Sequence, residues 1–205
     1  MLQFLPPVTR ALILANVAAF FAEMIFGDSI IGLFGLWPFS AAAVFGGYPS
    51  FQPWQVVSYS FLHGGLTHLL FNMFALYMFG GELERVFGAK RFFNLYFAGV
   101  IAAAAAQLIV STAAGSAPYP TVGASGGIFG LLLAYGMYFP RRIIVLLIPP
   151  IPMPARIFVA LYGGIELLLG VTGTQEGVAH FAHLGGMLGA WLLIRYWRGQ
   201  TPFSR

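Results

Sequence analysis

The stretch Gly123-Ala124-Ser125-Gly126-Gly127, followed by the apolar run Ile128–Phe139, decides how the rest of this chain is interpreted. A serine between glycines leaves room for another backbone to approach, and free N–H groups at a helix start can bind a developing oxyanion. The same pattern is typical of a turn with an N-cap, or of small-residue packing inside a membrane. On its own the stretch favours the structural interpretation, so the remaining sequence has to decide.

The composition indicates an integral membrane protein. The chain has 205 residues, of which 59% are hydrophobic and 8% charged, whereas soluble domains carry about 25% charged residues. Cysteine is absent, which excludes thiol catalysis, disulfide bonds and Cys-ligated metals. The net charge of +4 comes from basic residues scattered near predicted helix ends, which indicates membrane topology rather than a nucleic-acid surface. We expect one membrane domain over residues 1–205, with the first apolar run retained as a helix and not cleaved as a signal peptide.

Apolar windows predict the fold class, because a membrane helix needs roughly 20 mostly apolar residues. Six windows qualify as candidates: Val8–Phe26, Leu66–Phe79, Phe92–Thr112, Gly126–Phe139, Ala155–Val171 and His180–Trp197. The second and fourth are shorter than a full span. Closely spaced prolines predict that Ile143–Pro154 is a loop despite its hydrophobicity. The prediction is an all-α membrane protein built as a six-transmembrane-helix bundle.

The Lys and Arg residues predict the orientation of this bundle. All ten lie at the start of the first predicted helix, between the second and third, between the fourth helix and the first turn of the fifth, or at the end of the chain. The positive-inside rule then places both termini in the cytoplasm. Helices two, four and six consequently begin on the outer side. The candidate polar residues lie at or near these helix starts, and therefore at one level of the membrane: His68, Asn72, Ser125, His180 and His183.

Helix length predicts the depth of Ser125. The run Gly126–Phe139 would form about 21 Å of helix, whereas the hydrocarbon core of a bilayer is about 30 Å thick. If Pro140 and Arg141 mark the inner surface, Ser125 lies several ångströms below the outer one. A polar loop at that depth needs surrounding protein or water. We therefore expect a submerged hydrophilic pocket that opens to the outside.

Helical spacing predicts which polar residues meet. His183 and Gly186 share one helix stripe, and Gly126 and Gly130 share another. Close packing of these small-residue stripes would bring His183 to Ser125, and a serine needs a base at hydrogen-bond distance to become a nucleophile. The alternative is that His183 is only a packing residue with a polar group.

His68 and Asn72 are also spaced to share one helix face, because they lie four residues apart. They are either residues that hydrogen-bond between helices or a donor pair for an oxyanion. Both interpretations stay open at this stage.

The histidines allow a rival interpretation as a metal or haem site built from His63, His68, His180 and His183. It lacks a thiol ligand and an obvious carboxylate at this end of the second and sixth helices, so we favour a site without metal. Glu166, on the fifth predicted helix, could orient a histidine as the third member of a triad. We favour a structural hydrogen-bonding role for it.

Short motifs occur in a characteristic order between about Pro53 and Gly189. They are Pro53-Trp54-Gln55, Phe61-Leu62-His63-Gly64-Gly65, His68-X-X-X-Asn72, Glu84-X-X-X-Gly88, Gly123-Ala124-Ser125-Gly126 and Ala182-His183-Leu184-Gly185-Gly186. Together they resemble the rhomboid family of intramembrane serine proteases, in its minimal six-helix prokaryotic form.

The resemblance implies a Ser–His dyad that cleaves the transmembrane segments of other membrane proteins through an acyl-enzyme. It assigns the role of nucleophile to Ser125 and that of general base and acid to His183. It assigns oxyanion binding to His68, Asn72 and the Ser125 backbone N–H. Phe129 matches an aromatic position that packs near the base, while Glu84 and Gly88 match a structural motif. Supporting roles fall to Gly123, Gly126 and Gly186.

The resemblance further implies no metal or cofactor, transmembrane proteins as substrates, the lipid bilayer as partner and no nucleic acid. It also implies a multi-pass protein of the cell membrane whose site opens to the extracytoplasmic side. Two other classes remain as alternatives: an inactive rhomboid-like module that binds or chaperones membrane proteins, and a transporter. Retention of Ser125 and His183 argues against the first, and the scarcity of intramembrane charges argues against the second.

Overall fold

The computed structural model describes residues 4–39, 46–114, 119–146, 149–173 and 179–200. Apolar windows of this sequence become α-helices because a helix satisfies its own backbone hydrogen bonds in an apolar environment. The helices are α1 Pro7–Phe26, α2 Asp28–Phe34, α3 Gln55–Ser58, α4 Leu66–Ala75, α5 Gly81–Phe87, α6 Ala89–Ala114, α7 Ser125–Tyr138, α8 Ala155–Thr172 and α9 His180–Trp197. A 3₁₀ turn, Tyr59–Phe61, follows α3, and a π-helical segment, Leu76–Gly80, joins α4 to α5.

Within these described residues, three helices are long and apolar enough to cross a membrane: α1, α6 and α8. The helix α7 is apolar but shorter, with 14 residues. The helix predicted over Leu66–Phe79 is longer than expected, because α4 continues through the π segment into α5 and ends at Phe87. The polar residues of α5 thus belong to the same continuous helix.

The prediction of a loop over Ile143–Pro154 is wrong in part. Strand β1, Ile143–Val145, pairs antiparallel with strand β2, Pro152–Pro154, in a two-stranded hairpin. Proline lacks an N–H group, but a two-stranded ribbon leaves one edge of each strand unpaired, and proline is tolerated there. The prolines exclude a helix without excluding a strand.

The helices α6, α7 and α9 pack closely against one another because small residues line their contacts. A methyl group added to Gly127 would lie 2.6 Å from the ring of Tyr96, and one added to Gly185 would lie 2.8 Å from the carbonyl oxygen of Ala102. Such contacts are shorter than any ordinary packing distance. Glycines therefore allow α6 to lie against both helices that carry the candidate catalytic residues.

A buried carboxylate ties the start of α1 to α5. Glu84 accepts hydrogen bonds from the backbone N–H groups of Val8 (2.9 Å) and Thr9 (2.7 Å), and from the hydroxyl of Thr9 (2.7 Å). The first N–H groups of a helix have no partner within the helix, and a negative charge there is favourable. Glu84 thus caps α1 from a distant part of the chain, which is a structural role.

Candidate active site

Ser125 is the first residue of α7, and the backbone before it is held in a conformation that favours glycine. Gly123 has φ = +130°, and its N–H donates to the carbonyl of Tyr59 at 3.0 Å. The first helical hydrogen bond of α7 runs from Ile128 N–H to Ala124 O, and no side chain caps the helix start. The N–H groups of Ser125 and the next two residues are therefore left without intrahelical partners at the positive end of the helix dipole.

The loop before Ser125 is anchored by residues that the sequence interpretation had not assigned to the site. Thr121 and Leu36 exchange two backbone hydrogen bonds of 3.0 Å each. Tyr59 is buried, and its hydroxyl donates to Val100 O on α6 at 2.8 Å. The side-chain oxygen of Gln55 accepts from the backbone N–H of Trp37 at 3.3 Å. The Pro53-Trp54-Gln55 motif was the available signal for this support.

The hydroxyl oxygen of Ser125 lies 2.8 Å from Nε2 of His183, which is on the first turn of α9. The ring of Phe129 stacks on the imidazole, with 4.2 Å between centroids and 5° between planes. One turn after His183, Gly186 packs so closely on Gly126 that an added methyl group would overlap the carbonyl of Gly126. The approach of α7 to α9 therefore brings these two polar groups within hydrogen-bond distance.

Glu166 extends from α8 to the other ring nitrogen of the same histidine. Its Oε2 atom lies 2.9 Å from Nδ1 of His183 and 2.7 Å from Nδ1 of His180. The His180 contact has hydrogen-bond geometry, with Nδ1–H donating to the carboxylate. The second and sixth predicted helices offer no obvious carboxylate at this end of the molecule, and α8 supplies one.

His68 lies against the glycine loop, and Asn72 lies deeper in the same helix. A methyl group on Gly123 would meet Nε2 of His68 at 2.9 Å and the Ser125 hydroxyl oxygen at 3.6 Å, which places His68 beside the serine. The buried Asn72 side chain donates from Nδ2 to the backbone carbonyl of His68 at 3.0 Å. His68 therefore borders the space in front of Ser125, while the described contact of Asn72 is within its own helix.

His63, in the turn before α4, belongs to the support of the site. Its backbone N–H donates to the buried carboxylate of Glu23 at 3.0 Å, and its ring lies edge-on to that of His68, with centroids 5.0 Å apart. Burial, and then the neighbouring His68, lower the pKa of His63 to about 4. The ring is therefore neutral near pH 7, and it cannot supply a positive charge.

The histidines do not form the four-residue metal site weighed from the sequence as a rival. His63 pairs with His68, whereas His180 and His183 lie with Glu166. In the described residues, one group of three ligand atoms, from Glu166, His180 and His183, lies within 4.8 Å of one another. These residue types are ordinary zinc ligands, but two of the atoms already contact each other through a hydrogen bond.

This sequence is similar to the proteins of one known family. The rhomboid domain family matches residues 50–199. The Bacillus subtilis rhomboid protease GluP is 33% identical over 138 residues, which cover 66% of this chain and 24% of that protein. The mitochondrial Rhomboid protein 1 of Saccharomyces cerevisiae is 33% identical over 142 residues, covering 65% of this chain and 39% of the relative.

A third relative matches more of the chain at lower identity. The Yersinia pestis rhomboid protease GlpG is 26% identical over 195 residues, covering 93% of this chain and 62% of that protein. The chain thus spans from about a quarter to under two thirds of the length of these curated relatives. Together with its long apolar helices, the family match identifies a membrane protein.

Proposed function

Because this chain belongs to the rhomboid family, we propose that it is an intramembrane serine endopeptidase with Ser125 as nucleophile and His183 as general base. One observation carries the proposal: the 2.8 Å separation of the Ser125 hydroxyl oxygen from Nε2 of His183. A serine hydroxyl is a poor nucleophile unless a base at this distance accepts its proton.

The reaction follows from this pair of groups. His183 accepts the Ser125 proton on Nε2 while the serine oxygen bonds to the carbonyl carbon of a peptide, which gives a tetrahedral oxyanion. The carbon–nitrogen bond then breaks, His183 gives its proton to the leaving amine, and an acyl-enzyme remains. Water, deprotonated by His183, attacks the ester and restores the serine hydroxyl. The chemistry requires no metal or cofactor.

The oxyanion is bound by the backbone N–H of Ser125, with His68 and Asn72 as side-chain donors. The free N–H groups at the start of α7 support the first donor. The position of His68 against Gly123 supports the second. For Asn72 the second amide hydrogen is the available donor, because the first is directed to His68 O. Gly123, Gly126, Gly186 and Phe129 hold these groups in place.

The substrates are transmembrane segments of other membrane proteins, and the chain is one six-helix domain in the cell membrane with both termini in the cytoplasm. The distribution of Lys and Arg supports this orientation, and the site then opens to the extracytoplasmic side. A substrate helix must unwind near the scissile bond, because helical carbonyls are already hydrogen-bonded. By analogy with the family, α8 and the Gly173–Ala179 segment admit and cap the substrate; residues 174–178 lie outside the described residues.

The test combines fluorophosphonate labelling with cleavage of a transmembrane substrate by the purified, folded protein. The wild type should label and cleave, and Ser125→Ala should do neither. Ser111→Ala is the matched control, since that hydroxyl donates to Leu108 O in its own helix, and it should behave as wild type. A folded wild type that does not label would favour the alternative of a non-enzymatic binding module. Full cleavage by Ser125→Ala would end the serine-protease proposal.

A further inference from the structure

Glu166 is the single acidic residue of α8, and the residues next to it in the helix are apolar. Its neighbours Ile165, Leu167 and Leu168 are exposed, whereas the Glu166 side chain is only 12% exposed and is directed at α9. An acidic group within a membrane helix is energetically unfavourable unless it is paired, and such groups usually serve a function. The contacts of Glu166 therefore need an explanation.

Glu166, His183 and Ser125 form a continuous chain of polar contacts. The carboxylate oxygen lies 2.9 Å from Nδ1 of His183, and Nε2 of the same ring lies 2.8 Å from the Ser125 hydroxyl oxygen. A neutral imidazole has one N–H group, so Nε2 can accept a proton only if Nδ1 carries the hydrogen. A carboxylate beside Nδ1 favours that tautomer and stabilises the imidazolium ion that forms next.

The contact acts through charge more than through a directed hydrogen bond. The Glu166–His183 separation is that of an ion pair, but the Nδ1–H group of His183 has no acceptor in hydrogen-bond geometry among the described residues. The same oxygen is hydrogen-bonded by His180 at 2.7 Å. Two imidazoles therefore share one negative charge, which stabilises the positive form of either ring.

We propose that Glu166 is a positioning residue for catalysis, which selects the base tautomer of His183 and stabilises its imidazolium form, so that the site works as a Ser–His–Glu triad. The family resemblance implied only a dyad, and the third residue comes from α8. This inference rests on the proposed protease function. His180 takes the other side of the same carboxylate, which keeps the buried charge paired when His183 is neutral.

A purely structural role for Glu166 is the competing explanation. The buried residues of α8 are Ala155, Phe158 and Val159, all in its first half. In the second half, Glu166 is the residue whose described polar contacts tie α8 to α9. Loss of the carboxylate could therefore loosen α8, and the experiment has to separate a loosened helix from a weakened base.

The experiment measures kcat and KM against pH for Glu166→Gln, which keeps the size of the side chain and removes its charge. We expect kcat to fall about 10- to 100-fold with little change in KM, less than the roughly 10⁴-fold loss on neutralising a triad aspartate in a soluble protease, because the contact is not directed. The acid limb of the pH profile should move to lower pH, since imidazolium forms less readily without the opposite charge. The rate of fluorophosphonate labelling should fall by a similar factor.

Two further variants separate charge from packing. Glu166→Asp restores the carboxylate and should recover part of kcat, and Leu167→Ala, at a neighbouring exposed position, should leave kcat and the acid limb unchanged. The titratable groups that face Glu166 among the described residues are His180 and His183, and His68 lies across the site against Gly123. The profile is therefore repeated in a His180→Ala background, where the same shift is expected.

The results distinguish the two proposals. An active wild type with an unmoved acid limb in Glu166→Gln, or a loss that appears only in KM, overturns the role of Glu166 and leaves the protease intact. The role of Glu166 is also overturned if kcat falls in Glu166→Gln together with the unfolding temperature and Glu166→Asp does not restore it. A folded wild type that neither cleaves nor labels overturns both.

Discussion

Gly186→Ala tests whether the distance between α7 and α9 controls the reaction. A methyl group on Gly186 would overlap the carbonyl oxygen of Gly126 and lie 2.8 Å from its carbonyl carbon. Carbon atoms pack best at about 3.5–4.0 Å, so α9 would have to move from α7 by about 1 Å. His183 lies one turn from the added methyl group and would move with the helix.

The expected loss follows from that displacement. The Ser125–His183 contact of 2.8 Å would lengthen to roughly 3.8 Å, where a hydrogen bond no longer exists. A misplacement of about 1 Å can lower a rate by about 10²-fold, and loss of general-base assistance by about 10²–10⁴-fold. We therefore expect kcat/KM for a transmembrane substrate to fall at least about 100-fold. Overpacking should also lower stability by about 1–3 kcal/mol.

The assay uses purified Gly186→Ala with substrate cleavage, fluorophosphonate labelling and thermal unfolding measured on one sample. Gly164→Ala is the matched control, because a methyl group there would meet no atom within 4 Å. Gly130→Ala, with its nearest contact at 3.0 Å, should give an intermediate loss. If the folded Gly186→Ala protein cleaves and labels as fast as Gly164→Ala, helix separation does not control the Ser125–His183 contact.

The other predictions concern the roles assigned to single residues. Asn72→Ala should lower kcat more than it raises KM, by less than the 10²–10³-fold of a soluble oxyanion donor, since other donors remain; steady-state kinetics showing a change in KM alone would remove it from the oxyanion site. His183→Ala should abolish cleavage and labelling together, whereas His180→Ala should keep a substantial part of both; the opposite ranking in folded proteins would refute the choice of base. EDTA should leave wild-type cleavage unchanged, and reversible loss restored by zinc would instead indicate a metal at the Glu166 cluster.

Much of the helical layout could be predicted from the sequence, because apolar windows and charge positions carry it. The predicted first and last helices differ from α1 and α9 by a residue or less at each end. The stripes of small residues also predicted that α7 and α9 approach closely, and the structure has that contact at Gly126 and Gly186. The catalytic roles and the membrane orientation stay predictions.

Other features depend on packing between distant segments, and local patterns do not contain them. The sequence favours a structural role for Glu166, because residue spacing in a mostly apolar helix does not predict which neighbouring helix its single acidic side chain faces. The hairpin was missed because prolines argue against helices and central strands but not against a two-stranded ribbon. Tyr59 and Thr121 support the glycine loop through backbone hydrogen bonds between residues far apart in the sequence. The periodicity of apolar residues does not predict such bonds.

The π segment between α4 and α5 makes the winding of this helix a functional constraint. A π turn holds one residue more than an α turn, so the segment Leu76–Gly80 accommodates an extra residue without rotating the two ends of the helix relative to each other. If the same residues formed regular α-helix, one end would rotate relative to the other by about 100°. One end places His68 against Gly123, and the other places Glu84 at the start of α1. The π turn therefore lets one continuous helix make both contacts, and a substitution that rewound it as regular helix would disconnect the site from its support without altering the chemistry of any side chain that takes part.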